Sequence, residues 1–436
     1  PGEPLRLQRA RSVIAGGRRE LWVDEVAARA RPRDIWFQVA VISLTLALLD
    51  GYGAYDQLLP VTPMKYVLVQ LPLLTTTFIL CPRGSMNRVF LPLASVLFVG
   101  WWIASYLWDA NRAGWISASL RDLTTVVAIV VLSQVLGAAE FIRVLLRSGY
   151  IAIGLIFVAL LVQPGRAYDV AGAAPGLHGG FVHKNAMAPC LLVTAAVVLC
   201  FHPQRKFRTR FVLFVGVLMF LGQTTTGLAT LGALVLVNYV LCHYTSVVDR
   251  LGRAAGVLML GATMLAVAVA AESFSSAVLL SGKDLTFSAR TVIWDGVTAA
   301  IGRQRWAGYG YGVWQNIWVD PIRSINLKNG FLVAEAHSAP LDLMLRLGIV
   351  GLVLYLLQLL TTIRVGWRRL KRSDPLGRLA LLFCAIVVFV GFSESLVAYG
   401  LWPALLVVFC AINRDLKPVG GNRRSRRHHT SVGFST

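Results

Sequence analysis

Long apolar runs separated by short polar breaks dominate the chain, at 35–49, 62–80, 89–108, 121–137, 148–163, 185–201, 211–223, 226–244, 255–271, 341–363, 378–395 and 399–413. Roughly 20 apolar residues rising 1.5 Å each match the hydrocarbon thickness of a bilayer, and shorter runs suffice when their flanks snorkel. The pattern predicts an all-α polytopic membrane protein with about twelve transmembrane helices. Only two residues part the seventh run from the eighth. The expected organisation is a basic cytoplasmic leader over 1–34, helices one to nine within 35–271, and a long ordered extracytoplasmic loop over 272–340. Helices ten to twelve follow within 341–413, then a basic cytoplasmic tail over 414–436.

Composition supports this reading. The 436 residues are 56% hydrophobic and 14% charged, with mean hydropathy +0.65. A soluble protein of this size carries about 25% charged residues. Lys and Arg number 42 against 21 Asp and Glu, a formal charge of +21. That excess would suggest nucleic acid in a soluble chain, but no RNP-like, zinc or helix-turn-helix pattern accompanies it, and no nucleic-acid partner is expected. The basic residues sit instead in short breaks between apolar runs.

With a cytoplasmic N-terminus, 30 of the 42 fall in cytoplasmic segments, and 7 of the other 12 lie in the long segment 272–346. Long segments translocate largely regardless of charge. The opposite orientation would export Arg364, Arg368, Arg369, Lys371 and Arg372 in one short loop. Both termini are therefore expected in the cytoplasm. The leader mixes Arg6, Arg9, Arg11, Arg18 and Arg19 with Leu21, Trp22, Val23 and Val26. It reads either as a basic amphipathic helix on anionic membrane lipid or as a solvated leader. Six cysteines lie in or beside apolar runs without a CxxC pair, which argues against a zinc site or disulfide framework.

Chemistry then belongs in the two outside segments, 164–184 and 272–340. Loops beyond about 12–15 residues are commonly functional or disordered, and the second segment, rich in Trp, Tyr and Gly, is expected to be ordered. It holds a helical stretch around 288–297, a turn at Gly308-Tyr309-Gly310-Tyr311-Gly312, and the junction Ala336-His337-Ser338-Ala339-Pro340-Leu341-Asp342. There Ser338 suits an N-cap, Pro340 a first turn, and Asp342 the positive end of the helix dipole. His337 is placed just outside that helix, where the dipole would depress its pKa and keep it a neutral base. An interfacial histidine without a role fits the same spacing. His183-Lys184-Asn185 follows Gly179-Gly180 and opens a span, a plausible anion site or an ordinary snorkelling lysine. A diphosphate headgroup would need outside cations, here Lys65, Arg112, Arg121, Arg166, Lys184, Lys283, Arg290, Arg303, Arg305, Arg323, Lys328 and Arg346, arginine offering bidentate geometry.

These landmarks resemble the O-antigen ligase and polymerase superfamily. The resemblance rests on the Gly-rich approach to His183-Lys184-Asn185 and on Ser288-Ala289-Arg290-Thr291 with Trp294 leading to Gly308-Tyr309-Gly310. It rests most on His337-Ser338, Leu341, Gly348 and Gly351, similar to the family's His-Asn…Leu…Gly-x-x-Gly pattern. It covers 176–351, the rest matching only as hydropathy. It implies transfer of a glycan from undecaprenyl diphosphate to a sugar acceptor, the lipid A core favoured over another repeat unit. That reaction lies at the outer face of the bacterial inner membrane and needs no cofactor, metal or nucleotide sugar. In that reading His337 is the general base and Arg290 and Lys184 hold the diphosphate, with Arg166 and Arg323 as further cations. His183, Asn185 and Ser338 support the site.

The chain departs from the family at Gln223-Thr224-Thr225-Thr226-Gly227, which lacks an expected arginine, at Ser338 in place of Asn, and at Arg346. Arg166, Arg290 or Arg323 would supply the missing phosphate contact. Two other readings stand beside this one. A transporter or lipid-linked-oligosaccharide flippase would place ionisable residues in mid-span and show internal repeats, and neither is visible. A glycosyltransferase with an acidic base would rest on Asp50 or Asp56 in the first outside loop.

Overall fold

The protein is described from a computed structural model covering residues 35–54, 58, 63–81, 89–169, 176–181, 184–244, 287–330, 332–333, 335–395 and 400–412. The leader, the tail, the expected ninth span at 255–271, His183 and Asp56 lie outside the described residues. Eleven of the twelve apolar runs coincide with helices: α1 (Ile35–Tyr52), α2 (Pro63–Leu80), α3 (Leu93–Ala104), α4 (Arg112–Leu136), α5 (Ala138–Val162), α6 (Lys184–Phe201), α7 (Arg205–Leu221), α8 (Thr225–Tyr244), then, after the loop helices α9 (Phe287–Arg303) and α10 (Ile322–Asn329), α11 (Ala339–Leu370), α12 (Pro375–Gly391) and α13 (Leu401–Ile412). Six of these (α1, α4, α5, α6, α8 and α11) are long and apolar enough to cross a membrane. The architecture is that of an all-α polytopic membrane protein.

Two expected loops are helical instead. The span set at 121–137 starts nine residues earlier at Arg112, where Asn111 Oδ1 accepts from Gly114 N at 3.1 Å and caps the helix. The expected break at 138–147 is the start of α5, because Gly137, at φ +88°, reverses the chain without a loop. Arg143 there pairs with Glu140 one turn back. The seventh and eighth runs are separate helices, parted by a turn through Gln223 at φ +50°. Asp50 is not in a loop: it sits buried in the last turn of α1, 2.6 Å from Arg121 of α4. As a structural ion pair between two helices it is a poor candidate for an acidic base.

One apolar core fills the bundle, and α11 is its hub, packing on α3, α12 and α13. A second, smaller core belongs to the segment before α11. Ile293, Val297, Ala300 and Ile301 of α9 pack on Val313, Trp314, Ile322, Ile325 and Ala336. The described part of the long loop thus carries its own apolar interior, with the Trp294 indole donating to the Ala336 carbonyl at 2.9 Å.

The two cores are joined at a kink. Within α11, Gly348 has φ +68° and ψ −171°, which breaks the helix's bonding at the first glycine of the Gly-x-x-Gly pair. The freed groups find outside partners, as buried backbone must. Ile349 N and Val350 N donate to the carbonyls of Arg305 and Trp306 at 2.8 and 3.3 Å, and the Trp101 indole donates to the Leu347 carbonyl at 2.9 Å. Tyr309 N and Gly310 N donate to the Leu345 and Arg346 carbonyls, both at 2.9 Å. The Gly308–Gly312 turn is therefore a strap stitched along the broken helix. Buried Arg346 fastens it by donating Nη1 to the Tyr311 carbonyl at 2.6 Å and Nε to Asp342 at 2.7 Å. That accounts structurally for an arginine at this position.

Candidate functional site

The polar cluster lies where α6, α9, the start of α11 and the end of α12 meet. At its centre is Glu394, three residues past α12, whose side chain is only 4% exposed. It accepts from Asn185 Nδ2 of α6 at 2.8 Å and from Arg290 Nη2 of α9 at 3.1 Å. His337 Nδ1 faces its other oxygen at 3.6 Å and Glu335 Oε1 at 3.1 Å. Arg290 is held further by donating Nη1 to the Ser393 carbonyl at 2.8 Å. Ser338 N donates to Ser395 Oγ at 3.2 Å, tying the His337 segment to the same stretch.

Each position follows from local structure. Arg290 lies in the first turn of α9, whose apolar face is pinned on the small core. Asn185 is the second residue of α6, a helix buried along most of its length. His337 precedes α11 with φ +49°, the left-handed region that few non-glycine residues occupy and that clusters at functional sites.

Two expectations about this junction need correction. Ser338 stands at the N-cap position, yet its side chain makes no capping bond and its backbone N–H goes to Ser395. Asp342 does stand in the first turn, fully buried, where it also pairs with Arg346 and accepts the Trp314 indole at 2.6 Å. The larger correction concerns His337 itself. Burial pulls its imidazolium pKa down, but Glu335 and Glu394 outweigh burial and raise it from 6.5 to about 9. Two carboxylates at 3–4 Å overrule one helix terminus. At neutral pH the resting residue is a cation, not a neutral base. His337 Nδ1 meets both carboxylates at ion-pair distance without a formed hydrogen bond.

Of the cations singled out in the sequence, Arg290 is brought into the cluster, and Lys184 adjoins it as the residue before Asn185. Arg166 is exposed on the single turn Pro164–Ala167, and Arg323 is exposed on α10 beside Asp320. Neither is among the residues bonded to Glu394. Glu335 and Glu394 escaped the sequence reading, although a signal existed. Glu394 is the one acidic residue between Pro375 and Ile412, and an ionisable group in such an apolar stretch marks function by default. A ligand atom from each of Glu335, His337 and Glu394 lies within 4.8 Å of the others, a spacing one cation could bridge. Arg290 already brings positive charge to that point. A small pocket opens beside Glu394, walled by Asn185, Ala188 and Pro189 of α6, Thr226 and Gly227 of α8, and Val390 of α12.

The fold and this cluster define a helical membrane protein with a buried, charge-balanced site at one end of its bundle. Residues 185–356 match the family model described as O-antigen ligase, so the chain carries a domain similar to that family. The match takes in Asn185, Arg290, Glu335 and His337 and ends before α12, leaving Glu394 beyond it. No curated protein matches the chain significantly.

Proposed function

We propose that the chain is an O-antigen-ligase-like glycosyltransferase, moving a glycan from undecaprenyl diphosphate to a sugar acceptor, with the lipid A core favoured. The observation that carries this reading is the convergence of Asn185, Arg290 and His337 on one buried carboxylate beside a pocket. The acceptor hydroxyl oxygen attacks the glycan's anomeric carbon as the bond to the diphosphate breaks. The hydroxyl proton passes to His337, and the lipid diphosphate leaves with the electron pair. Arg290 and Lys184 hold that diphosphate and stabilise its growing charge, with Arg166 and Arg323 as outlying cations that guide it in. Asn185, His183 and Ser338 support the site. Arg290 supplies the positive charge, and the step needs no metal or other cofactor.

The site lies on the extracytoplasmic face of the bacterial inner membrane. Twelve spans, with 255–271 as the ninth, put both termini in the cytoplasm, and 272–340 forms the catalytic loop.

Proton acceptance requires neutral imidazole, so transfer should quicken as pH rises through about 9. The test is a surface-glycan profile of a deletion strain complemented with wild type or His337→Ala. Glycan left on the lipid carrier with bare acceptor, and no rescue by the variant, is the expected outcome. Single repeat units on the acceptor would indicate the polymerase, which makes the same bond to a growing glycan. Full rescue by His337→Ala would sink the mechanism, and an unchanged profile in the deletion strain would favour a flippase.

A further inference from the structure

Arg290, Asn185 and His337, the groups assigned to the donor's charged end and to proton transfer, are engaged on Glu394. A buried carboxylate that accepts from a guanidinium and an amide occupies the same chemistry as a phosphate oxygen. The Arg290 fork is divided. Nη1 is anchored on the Ser393 carbonyl, which carries no net charge and lies in the same stretch as Glu394, while Nη2 rests on the carboxylate at 3.1 Å. One half thus rests on a neutral partner and the other on a charged one. A small recess walled by α6, α8 and α12 borders Glu394 and Asn185 on the same side.

We infer that Glu394 is a positioning residue that keeps the diphosphate's place in the empty site. An arriving lipid diphosphate takes Arg290 Nη2 from Glu394, and the released carboxylate turns wholly to His337 Nδ1. The exchange keeps Arg290 paired throughout, which matters because breaking a buried ion pair by removing one partner is strongly unfavourable. It also couples donor binding to orientation of the imidazole, whose Nε2 is then directed at the acceptor hydroxyl, as a carboxylate orients a catalytic histidine elsewhere. This inference rests on the diphosphate assignment made above.

The test uses the full chain in nanodiscs with farnesyl diphosphate as probe and farnesol as the uncharged control. Wild type should bind the diphosphate in preference to the alcohol; equal binding would sink both the donor assignment and the exchange. Glu394→Gln should bind the diphosphate about tenfold tighter, since the competing ion pair is gone. That gain should vanish in an Arg290→Ala background, because the competition runs through Arg290. A gain that persists without Arg290 would reduce Glu394 to simple charge repulsion and overturn the exchange, as would no gain at all, while leaving the donor assignment standing. Should Glu394→Gln fail to fold, Glu394→Asp retracts the carboxylate without removing its charge. It should tighten binding in the same direction, and wild-type affinity there overturns the exchange.

Discussion

His337 holds an uncommon backbone conformation between two carboxylates, and its charge state follows from them. Its folded pKa of about 9 stands above the ordinary 6.5, so its ionisation stabilises the fold fully below 6.5, and that contribution is lost as pH rises through about 9. Thermal melts of wild type and His337→Gln should differ most in mildly acidic buffer and converge above that pH. A gap that widens with pH would mean the carboxylates do not hold the proton. A second residue-scale expectation concerns Asp342 and Arg346, paired at 2.7 Å with side chains 0% and 6% exposed. Removing one partner of such a pair costs about 3–5 kcal/mol, so Asp342→Ala should unfold far more readily than wild type in denaturant melts. His337 and Arg290 were legible in the sequence because they sit in spaced motifs. The neutrality of His337 was misjudged because the helix terminus was visible along the chain, whereas Glu394, 57 residues further on, acts only through the fold.

Among the elements, α11 does the most to connect membrane core and loop. Its break at Gly348 sends backbone bonds to Arg305 and Trp306, and a Cβ at Gly348 would lie 2.1 Å from the Trp306 carbonyl oxygen. Gly348→Ala therefore meets both a left-handed φ and a backbone clash, and strain of this kind costs about 1–3 kcal/mol before the clash is counted. We expect lower yield of folded protein and loss of transfer, read by size-exclusion profile and glycan transfer together; a wild-type profile with full transfer would show that the strap is not needed to seat His337. The helices themselves were readable from hydropathy, since eleven apolar runs each became one. Their ends were not. Gly137 turns the chain without polar residues, and α4 gains its first turns from a cap at Asn111 rather than from apolar content. Nothing in the hydropathy pattern distinguishes a span from a span with extra turns.

At the scale of the whole molecule, the proposed function predicts which end of the bundle faces outward. The cluster at Glu394 and the start of α11 lie at one end of the bundle, and the basic turn between α11 and α12 lies 32 helical residues away at the other. At 1.5 Å per residue that helix is long enough to span the hydrocarbon core even with its kink. Arg369 at the far end donates to Asp374 at 2.9 Å and to the Ile412 carbonyl at 2.6 Å, closing the turn against α13. Exporting a turn with Arg364, Arg368, Arg369, Lys371 and Arg372 is disfavoured, so the Glu394 end should face outward. Single cysteines test this in intact cells: Ser324→Cys on exposed α10 and Ser373→Cys on the exposed basic turn, each read above the native-cysteine background. A membrane-impermeant maleimide should label the first before lysis and the second only after it. The reverse pattern would put the acidic cluster in the cytoplasm, away from any acceptor assembled outside, and would remove the transfer reading while leaving the fold intact.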